Sequence, residues 1–289
     1  MTEKLWTVGR ILKWTEQYFG TKGVESPRLD AEVLLSHVLN KERIYLYVHF
    51  DEPLEAGELA SYRELVRQRA GRVPVAYLVG EREFMGISLR VNPSVLIPRP
   101  ETEILVQAAL DRLQERKEPF VADIGTGSGA ICLALLHYLV NGRGVGVDLS
   151  EDALEVAREN AEHLGLSERT QFLPGDLLEP LKEGKFAAIL SNPPYIPDGE
   201  ISKLAPEVRD KEPRMALAGG EDGMKFYRRL CKEAPSLLEP KGFLAMEVGI
   251  RQGKAVEKMA KEHPLVERTE LLKDLAGIDR VVIAWRGAQ

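Results

Sequence analysis

The tetrapeptide Asn192-Pro193-Pro194-Tyr195 combines groups that could orient a planar, non-basic nitrogen for attack on an electrophile. The Asn192 amide oxygen can accept a hydrogen bond from an NH2 group. The two prolines have fixed φ angles and no N–H, so this stretch offers carbonyl acceptors without competing donors. Tyr195 could stack its ring on a flat substrate group. An Asn-Pro-Pro sequence can also simply end a strand and begin a loop, but the flanking asparagine and tyrosine favour a functional role.

The apolar run 186–191 directly precedes this tetrapeptide and is typical of a buried strand. We therefore expect Asn192 to lie at the carboxyl end of a strand, which is where open α/β sheets bind their ligands.

A glycine-rich turn follows an earlier strand-like run, 120–124, and precedes an apolar helix that begins near Ala130. Glycines at 125, 127 and 129 allow the backbone to turn tightly and to approach a ligand closely. The N-terminus of the following helix favours a carboxylate or a phosphate. This pattern predicts a ligand-binding loop.

Acidic residues follow three successive predicted strands, at Asp123, Asp148 and Asp176. Asp148 could accept hydrogen bonds from both hydroxyls of a ribose, and Asp176 could accept one from the exocyclic amine of an adenine. Asp123 can face the ligand or brace the loop. The run 125–130 also satisfies the dinucleotide fingerprint G-x-G-x-x-G/A, so a nicotinamide-dependent dehydrogenase stays open, although it leaves Asn192 without a function.

In this order the motifs resemble the S-adenosylmethionine-dependent methyltransferases of the Rossmann-like class. The Asn-Pro-Pro-Tyr tetrapeptide narrows the resemblance to enzymes that methylate the planar nitrogens of adenine or of glutamine side chains. The segments 82–86 and 96–103 are similar to the HemK/PrmC family of protein-(glutamine-N5) methyltransferases, which act on peptide chain release factors. The stretches 212–220 and 247–252 match that family as well.

The resemblance implies S-adenosylmethionine as cofactor, S-adenosylhomocysteine as product, no metal, and the glutamine of a Gly-Gly-Gln motif in release factors as substrate, hence a role in translation termination. It implies a cofactor site made of Asp123, Gly125, Thr126, Gly127, Ser128, Gly129, Asp148, Leu149, Asp176, Leu177 and Asn192. It implies catalysis and substrate binding by Asn192, Pro193, Pro194 and Tyr195, with Arg99 also contacting the substrate. Leucine at position 177 offers only apolar contact to the adenine.

An adenine-N6 nucleic-acid methyltransferase is the main alternative, because the same tetrapeptide geometry would methylate adenine. The net charge of −6 disfavours it, since nucleic-acid affinity comes largely from basic contacts to phosphates. Residues 1–80 carry equal numbers of basic and acidic side chains. Their one basic cluster, Arg63, Arg67, Arg69 and Arg72, is interpreted as solvated helix faces, with contact to an acidic partner as the alternative. A catalytically inert protein that senses S-adenosylmethionine is a third hypothesis.

Composition is that of an ordinary globular protein, with 44% apolar and 29% charged residues among 289. Cys132 and Cys231 fall in apolar helical patterns and are expected in the core, and the five histidines form no ligand set. No run is long and apolar enough for a membrane span, and the first residues lack a signal-peptide pattern. A cytoplasmic location and no membrane partner are therefore expected.

The pattern divides the chain near residue 83. Residues 1–83 are predicted to form a helical substrate-recognition bundle with Trp6 and Trp14 in its core, and residues 84–97 a linking β-hairpin. Residues 98–289 are predicted to form an α/β, Rossmann-like methyltransferase domain with a seven-stranded, mostly parallel sheet. The resemblance implies an antiparallel final strand at 280–285, and residues 196–223 are expected to form an irregular loop beside the site.

Overall fold

The computed structural model describes residues 5–181 and 184–288. Contacts between Cα atoms divide the chain into two units. The first contains the chain up to Gly80 together with Ala205–Lys211, and the second contains Glu81–Leu204 and the chain from Glu212 onward.

The first unit is helical. Helix α1 (Val8–Thr21) is capped by Thr7, whose hydroxyl accepts a hydrogen bond from the backbone N–H of Arg10. Pro27 occupies the first turn of α2 (Pro27–Leu39), where its missing N–H costs nothing. The apolar faces of these helices pack around Leu12, Leu34 and Tyr62. The helices are α1 (Val8–Thr21), α2 (Pro27–Leu39), α3 (Arg43–Val48), α4 (Ala56–Ala70), α5 (Val75–Val79) and, from the later segment, α9 (Pro206–Lys211).

One detail of this unit differs from expectation. Trp14 is 45% exposed, so its prediction as a core residue is wrong, while Trp6 is half-buried against the core. Trp14 instead stacks on Tyr18 with 5.2 Å between ring centroids.

A β-hairpin opens the second unit, with β1 (Glu81–Phe84) antiparallel to β2 (Ile87–Arg90). Met85 and Gly86, both with positive φ, form its turn. The hairpin therefore begins earlier than the predicted residue 84 and ends before residue 97.

The rest of the second unit alternates strands and helices around one seven-stranded sheet. The strands are β3 (Phe120–Ile124), β4 (Arg143–Asp148), β5 (Thr170–Pro174), β6 (Phe186–Ser191), β7 (Leu238–Glu247), β8 (Val266–Lys273) and β9 (Asp279–Arg286). Their order in the sheet is β5-β4-β3-β6-β7-β9-β8, which confirms the predicted α/β class and Rossmann-like sheet. The helices are α6 (Thr102–Leu113), α7 (Ala130–Tyr138), α8 (Glu151–His163), α10 (Lys225–Leu237) and α11 (Gly253–Lys261).

Strands β3 to β7 are parallel, whereas β9 runs antiparallel to both β7 and β8. This confirms the orientation expected for the final strand. Every residue of β6 is buried, as expected for a central strand covered on both faces. Two apolar clusters lie on the two faces of the sheet and contain the free cysteines Cys132 and Cys231.

Residues 196–223 are less irregular than predicted. They contain α9 and two short 3-10 helices, Asp198–Lys203 and Arg214–Ala216. Ile196 also forms an isolated parallel bridge with Ala218, which fixes the chain after residue 211 beside the end of β6.

Among the described residues, no helix is long and apolar enough to cross a membrane. Within the same ranges, no group of three or more histidine, cysteine or acidic side chains could hold a metal ion.

Candidate active site

A cavity of about 340 Å³ opens at the carboxyl ends of β3, β4, β5 and β6. This volume lies within the range of roughly 300–1,000 Å³ found for small-molecule sites, and the position is the one favoured by open α/β sheets. The predicted site residues that line it are Gly125, Gly127, Asp148, Leu149, Asp176, Leu177, Asn192, Pro193 and Pro194. Met215 and Phe226 also contribute to its wall, a role the sequence did not indicate.

The three glycines of the turn have positive φ angles, 73° at Gly125, 55° at Gly127 and 81° at Gly129. A Cβ atom at Gly125 or Gly127 would meet no protein atom within 4 Å, so both face open space along the cavity. A Cβ at Gly129 would lie 2.9 Å from Leu133 Cδ1. The first two glycines thus keep the ligand side open, and the third allows close packing of α7.

Asp123 lies behind the turn rather than on the cavity wall, and it is fully buried. Its Oδ2 accepts hydrogen bonds from the Thr126 hydroxyl at 2.7 Å and from the backbone N–H of Cys132 at 3.2 Å. Burial raises the pKa of this carboxyl to about 7. Of the two possibilities left open for Asp123, this geometry matches bracing of the loop and not direct contact with a ligand.

Thr126 and Ser128, also predicted to bind the cofactor, are buried and do not line the cavity. The Ser128 carbonyl accepts a hydrogen bond from Nδ2 of Asn160 at 2.9 Å. Asn160 also exchanges two hydrogen bonds with the backbone of Arg90. This buried asparagine of α8 therefore anchors the glycine turn, and no local pattern in the sequence marks it.

Asp148 connects the cavity to the glycine turn. Its Oδ2 accepts from the Gly127 N–H at 2.9 Å, and its Oδ1 accepts from the Ser150 N–H at 3.0 Å. Because each carboxylate oxygen has two acceptor sites, capacity remains for a ligand on the cavity side.

Asp176 lies on the adjacent part of the wall, and both of its carboxylate oxygens accept from Arg229 at 2.8 Å. Leu177 has a φ of 56°, an uncommon conformation for a leucine. Strained residues of this kind concentrate at functional sites, so this backbone shape is consistent with a role for the segment in ligand binding.

Asn192 directly follows β6, on the wall of the same cavity. Its Nδ2 donates a hydrogen bond to the Thr102 hydroxyl at 3.0 Å, and that hydroxyl donates to Oε2 of Glu247 at 2.6 Å. Thr102 and Glu247 are both buried. Burial raises the pKa of the Glu247 carboxyl to about 7. Both residues fall within matched family segments, but no pattern in the sequence connects them with Asn192.

Tyr195 is not part of the cavity wall; its ring packs partly buried against the core. Burial raises the pKa of its phenol to about 12. Its carbonyl accepts a hydrogen bond from Nε2 of Gln252 at 3.0 Å, and Oε1 of Gln252 accepts from the Gly249 N–H at 3.0 Å. The matched segment 247–252 thus holds the Asn-Pro-Pro-Tyr turn.

Arg99 does not line the cavity either. Its guanidinium donates to Oε1 of the buried Glu212 at 2.6 Å, and Oε2 of Glu212 accepts from the Ile97 N–H at 3.4 Å. The two matched family segments that contain Arg99 and Glu212 are therefore joined by an ion pair.

Two family models match the chain: the PrmC N-terminal domain over residues 10–80 and the methyltransferase small domain over residues 101–208. A release factor glutamine methyltransferase of Geobacter sulfurreducens is 46% identical, over 98% of this chain and 98% of its own length. A release factor glutamine methyltransferase of Rhodopirellula baltica is 44% identical, over 96% of this chain and 95% of its own length. The chain belongs to the release factor glutamine methyltransferase family. This confirms the resemblance to the HemK/PrmC family.

As a member of this family, the chain is an S-adenosylmethionine-dependent methyltransferase. Solved structures show the same fold at lower sequence similarity. A methyltransferase from Pyrococcus furiosus superimposes with a TM-score of 0.55 and 19% identity, over 76% of this chain and 98% of its own. The hMettl16 catalytic domain, solved in complex with the MAT2A 3'UTR hairpin 1, superimposes with a TM-score of 0.59 and 17% identity, over 78% of this chain and 81% of its own. Such a shared fold does not specify the substrate.

The cavity fits the cofactor of this family. Gly125 and Gly127 leave room that any side chain would fill, and Asp148 retains acceptor capacity on the cavity side. The walls supplied by Leu149, Leu177 and Phe226 are apolar, as a planar base requires.

Proposed function

We propose that this protein transfers a methyl group from S-adenosylmethionine to the side-chain amide nitrogen (N5) of the glutamine in the Gly-Gly-Gln motif of peptide chain release factors. The full-length similarity to release factor glutamine methyltransferases supports the substrate. The observation that carries the reaction type is that Asn192, Pro193 and Pro194 share one cavity with Gly125 and Asp148.

In this proposal the turn and the two strand-end acids hold the cofactor. Gly125 and Gly127 admit its amino-acid end, the Asp148 carboxylate accepts from the ribose hydroxyls, and the Asp176 carboxylate accepts from the adenine amine. Leu149 and Leu177 supply apolar contact to the base. Asp123, Thr126, Ser128 and Gly129 act indirectly by shaping the turn.

An amide nitrogen is a poor nucleophile because its lone pair is shared with the carbonyl group. When bound, S-adenosylmethionine supplies a methyl sulfonium: the N–C bond forms as the S–C bond breaks, the electron pair stays on sulfur to give S-adenosylhomocysteine, and the nitrogen releases a proton. The Asn192 Oδ1 and the Pro193 carbonyl accept from the two amide N–H groups and aim the nitrogen. Such near-attack positioning can lower a barrier by roughly 7–11 kcal/mol.

Fixed acceptors also stabilise the positive charge that develops on the nitrogen during transfer. Tyr195 and Arg99 support this site in our proposal through their partners, Gln252 and Glu212, and do not touch the reacting atoms. The mechanism requires no metal.

The helical bundle is proposed to recognise the body of the release factor. It carries a groove of about 190 Å³ that is lined by Trp14, Tyr18 and Arg63 among others. In this groove Arg67 is paired with Glu64, and Trp14 is one of the exposed large apolar side chains. Such amphipathic and basic groups suit a protein partner. Because release factors act in translation, the proposed location is the cytoplasm.

The test is incubation with labelled S-adenosylmethionine and, separately, release factor, release factor with the Gly-Gly-Gln glutamine replaced by alanine, and unmethylated DNA. We expect label only in unaltered release factor. Labelled DNA would instead support the adenine-N6 alternative, and label in the alanine-substituted factor would exclude the assigned glutamine.

A further inference from the structure

We propose that the buried Thr102–Glu247 pair is a positioning device: ionised Glu247 keeps the Asn192 amide oxygen directed at the substrate, and a proton on Glu247 releases it. This inference rests on the proposed function, because it concerns how Asn192 presents its acceptor to the glutamine. Thr102 and Glu247 act through Asn192 and contact neither reacting atom.

The sheet itself brings the three residues together. Ser191 of β6 pairs with Met246 of β7 in parallel register, so the next residues, Asn192 and Glu247, lie side by side where the strands end. Thr102 is the first residue of α6 and inserts its hydroxyl between them. The device is therefore built from the ends of three elements far apart in sequence.

Donor and acceptor chemistry then dictates the orientation of the Asn192 amide. An ionised carboxylate only accepts, so the single hydroxyl hydrogen of Thr102 must go to Glu247 at 2.6 Å. The Thr102 oxygen can then only accept, and the partner that it accepts from is Nδ2 of Asn192 at 3.0 Å. With its nitrogen held on this side, the amide has its oxygen free for the substrate.

A proton on Glu247 removes this constraint. The protonated carboxyl can donate to Thr102, whose hydroxyl hydrogen is then free to point at Asn192. In that state the Asn192 amide can rotate, so that its Oδ1 accepts from the Thr102 hydroxyl. The Nδ2 group, which is a donor, then faces the substrate where Oδ1 faced it before. The rotated amide cannot accept from the glutamine NH2 group.

The surroundings of Glu247 place this switch in the neutral pH range. Burial raises the pKa of its carboxyl to about 7, the charge of Glu101 acts in the same direction, and Arg280 and Arg99 oppose it. Arg280 is itself paired with Asp274 at 2.8 Å. The phenols that feel the charge of Glu247 are Tyr195 and Tyr227, and burial raises the pKa of both. The active, ionised form is therefore populated above pH 7 and lost as the pH falls through 7.

The experiment measures kcat and KM for intact release factor from pH 6 to 8.5 in four variants and the wild type. We expect the wild-type kcat to fall roughly tenfold between pH 8 and pH 6, as the ionised fraction does for a group with a pKa of about 7. Glu247→Gln, which resembles the protonated carboxyl at every pH, should have a low kcat and a flat profile.

Thr102→Val should lower kcat at pH 8 by about tenfold with little change in KM, whereas Thr102→Ser should restore most of the rate and the wild-type profile. Thr269→Val is the matched control, because Thr269 donates to Glu257 at 3.1 Å outside the site and its loss should leave the profile unchanged. Affinity for S-adenosylhomocysteine and thermal melting check that each variant is folded.

A wild-type-like kcat and pH profile in Glu247→Gln would overturn the switch, and equal rates in Thr102→Val and Thr102→Ser would overturn the role of the hydroxyl. Asp123, whose carboxyl has a similar pKa, is unchanged in all variants, so a slope that persists in Glu247→Gln would assign the titration elsewhere. A failure of the proposed function has a different signature, because then the wild type itself leaves release factor unlabelled.

Discussion

The two units of this chain bury charged groups in opposite ways. In the helical unit, Glu32 is almost fully buried and accepts from Arg28, Arg43 and Tyr47 at 2.6–2.7 Å. Although burial itself opposes ionisation, these partners lower the pKa of the Glu32 carboxyl. Buried Arg69 is likewise neutralised, by carboxylates of its own unit.

In the catalytic unit, the two buried acids Asp123 and Glu247 accept no hydrogen bond from a cation among the described residues. Asp123 is held by a hydroxyl and a backbone N–H, and Glu247 by a hydroxyl. Burial therefore raises the pKa of both carboxyls to about 7. Glu212 is the exception, since it pairs with Arg99 as the helical unit's acids pair with their arginines. The buried charges of the helical unit are thus neutralised by ion pairs, whereas the buried carboxyls of the catalytic site can gain or lose a proton near neutral pH.

The largest effect on stability is expected in the helical unit, where the buried charges are ion-paired. Arg69→Met would leave the mostly buried Asp30 without its cation, whereas Glu207 would keep its second partner, Arg72. Breaking a buried pair in this way costs about 3–5 kcal/mol, because a charge stays uncompensated. We expect a loss of that size in the free energy of unfolding, measured by denaturant titration followed by tryptophan fluorescence.

Arg67→Met is the matched control, because Arg67 is 75% exposed and pairs with Glu64 on the surface. Its loss should change stability little, since a solvent-exposed pair is screened by water. Equal effects of the two substitutions would show that burial does not distinguish members of this arginine cluster. The structure already corrects the interpretation of the whole cluster as solvated faces, since Arg69 is buried.

Asn192→Ala tests the catalytic unit. The amide nitrogen of Asn192 is bound to Thr102, and its amide oxygen is proposed to accept a hydrogen bond from the substrate. We expect kcat to fall by about 10²–10³-fold, as for loss of a positioned polar group that acts in the transition state. Cofactor binding, measured by calorimetry, should survive. Near-normal turnover would remove Asn192 from the mechanism.

Asp148→Ala should have a smaller effect, and on a different quantity. Loss of charge-assisted hydrogen bonds to the ribose is expected to weaken S-adenosylmethionine binding by about 1.5–3 kcal/mol. The KM for release factor should change little. An unchanged cofactor dissociation constant would show that Asp148 serves only to hold Gly127 and Ser150.

The sequence predicted well wherever one short segment carried the whole signal. Strand β6 was located to the residue, because an uninterrupted apolar run ends at the Asn-Pro-Pro stop. The glycine turn was equally local, and most of the cavity wall follows from it and from acids at strand ends. Strand β8 was not located, since it lies at the sheet edge, mixes polar and apolar residues and has no fully buried position.

Contacts between segments far apart in the sequence could not be predicted from such local patterns. Nothing near Thr102 indicates that its hydroxyl meets Glu247, and Asn160 lies in an ordinary amphipathic helix although it anchors Ser128. The same limit applies to three predicted site residues that do not line the cavity, Arg99, Tyr195 and Asp123. The motifs marked them as important, but only the tertiary structure shows that Arg99 pairs with Glu212, that the Tyr195 carbonyl accepts from Gln252 and that Asp123 accepts from Thr126.

The two kinds of buried acid are also distinguished by the sign of their pH dependence. The pKa of Glu247 is higher in the folded chain than its unfolded value near 4.3. The folded state therefore binds more protons, and the wild type loses stability as the pH rises from 5 to 8. Glu247→Gln escapes this loss, so its stability relative to the wild type should rise by on the order of 2 kcal/mol over that range.

Glu32→Gln should behave in the opposite way, because the folded pKa of Glu32 is lowered. Its contribution is present above the unfolded pKa and is lost only as the pH falls through the folded value. The variant should therefore be less stable than the wild type at pH 8, by about 1.5–3 kcal/mol for the lost charged hydrogen bonds, with no recovery down to pH 5. Denaturant titrations of both variants at pH 5 and pH 8 measure the two signs side by side. Parallel pH dependence in the two variants would contradict the division between paired structural acids and titrating site acids.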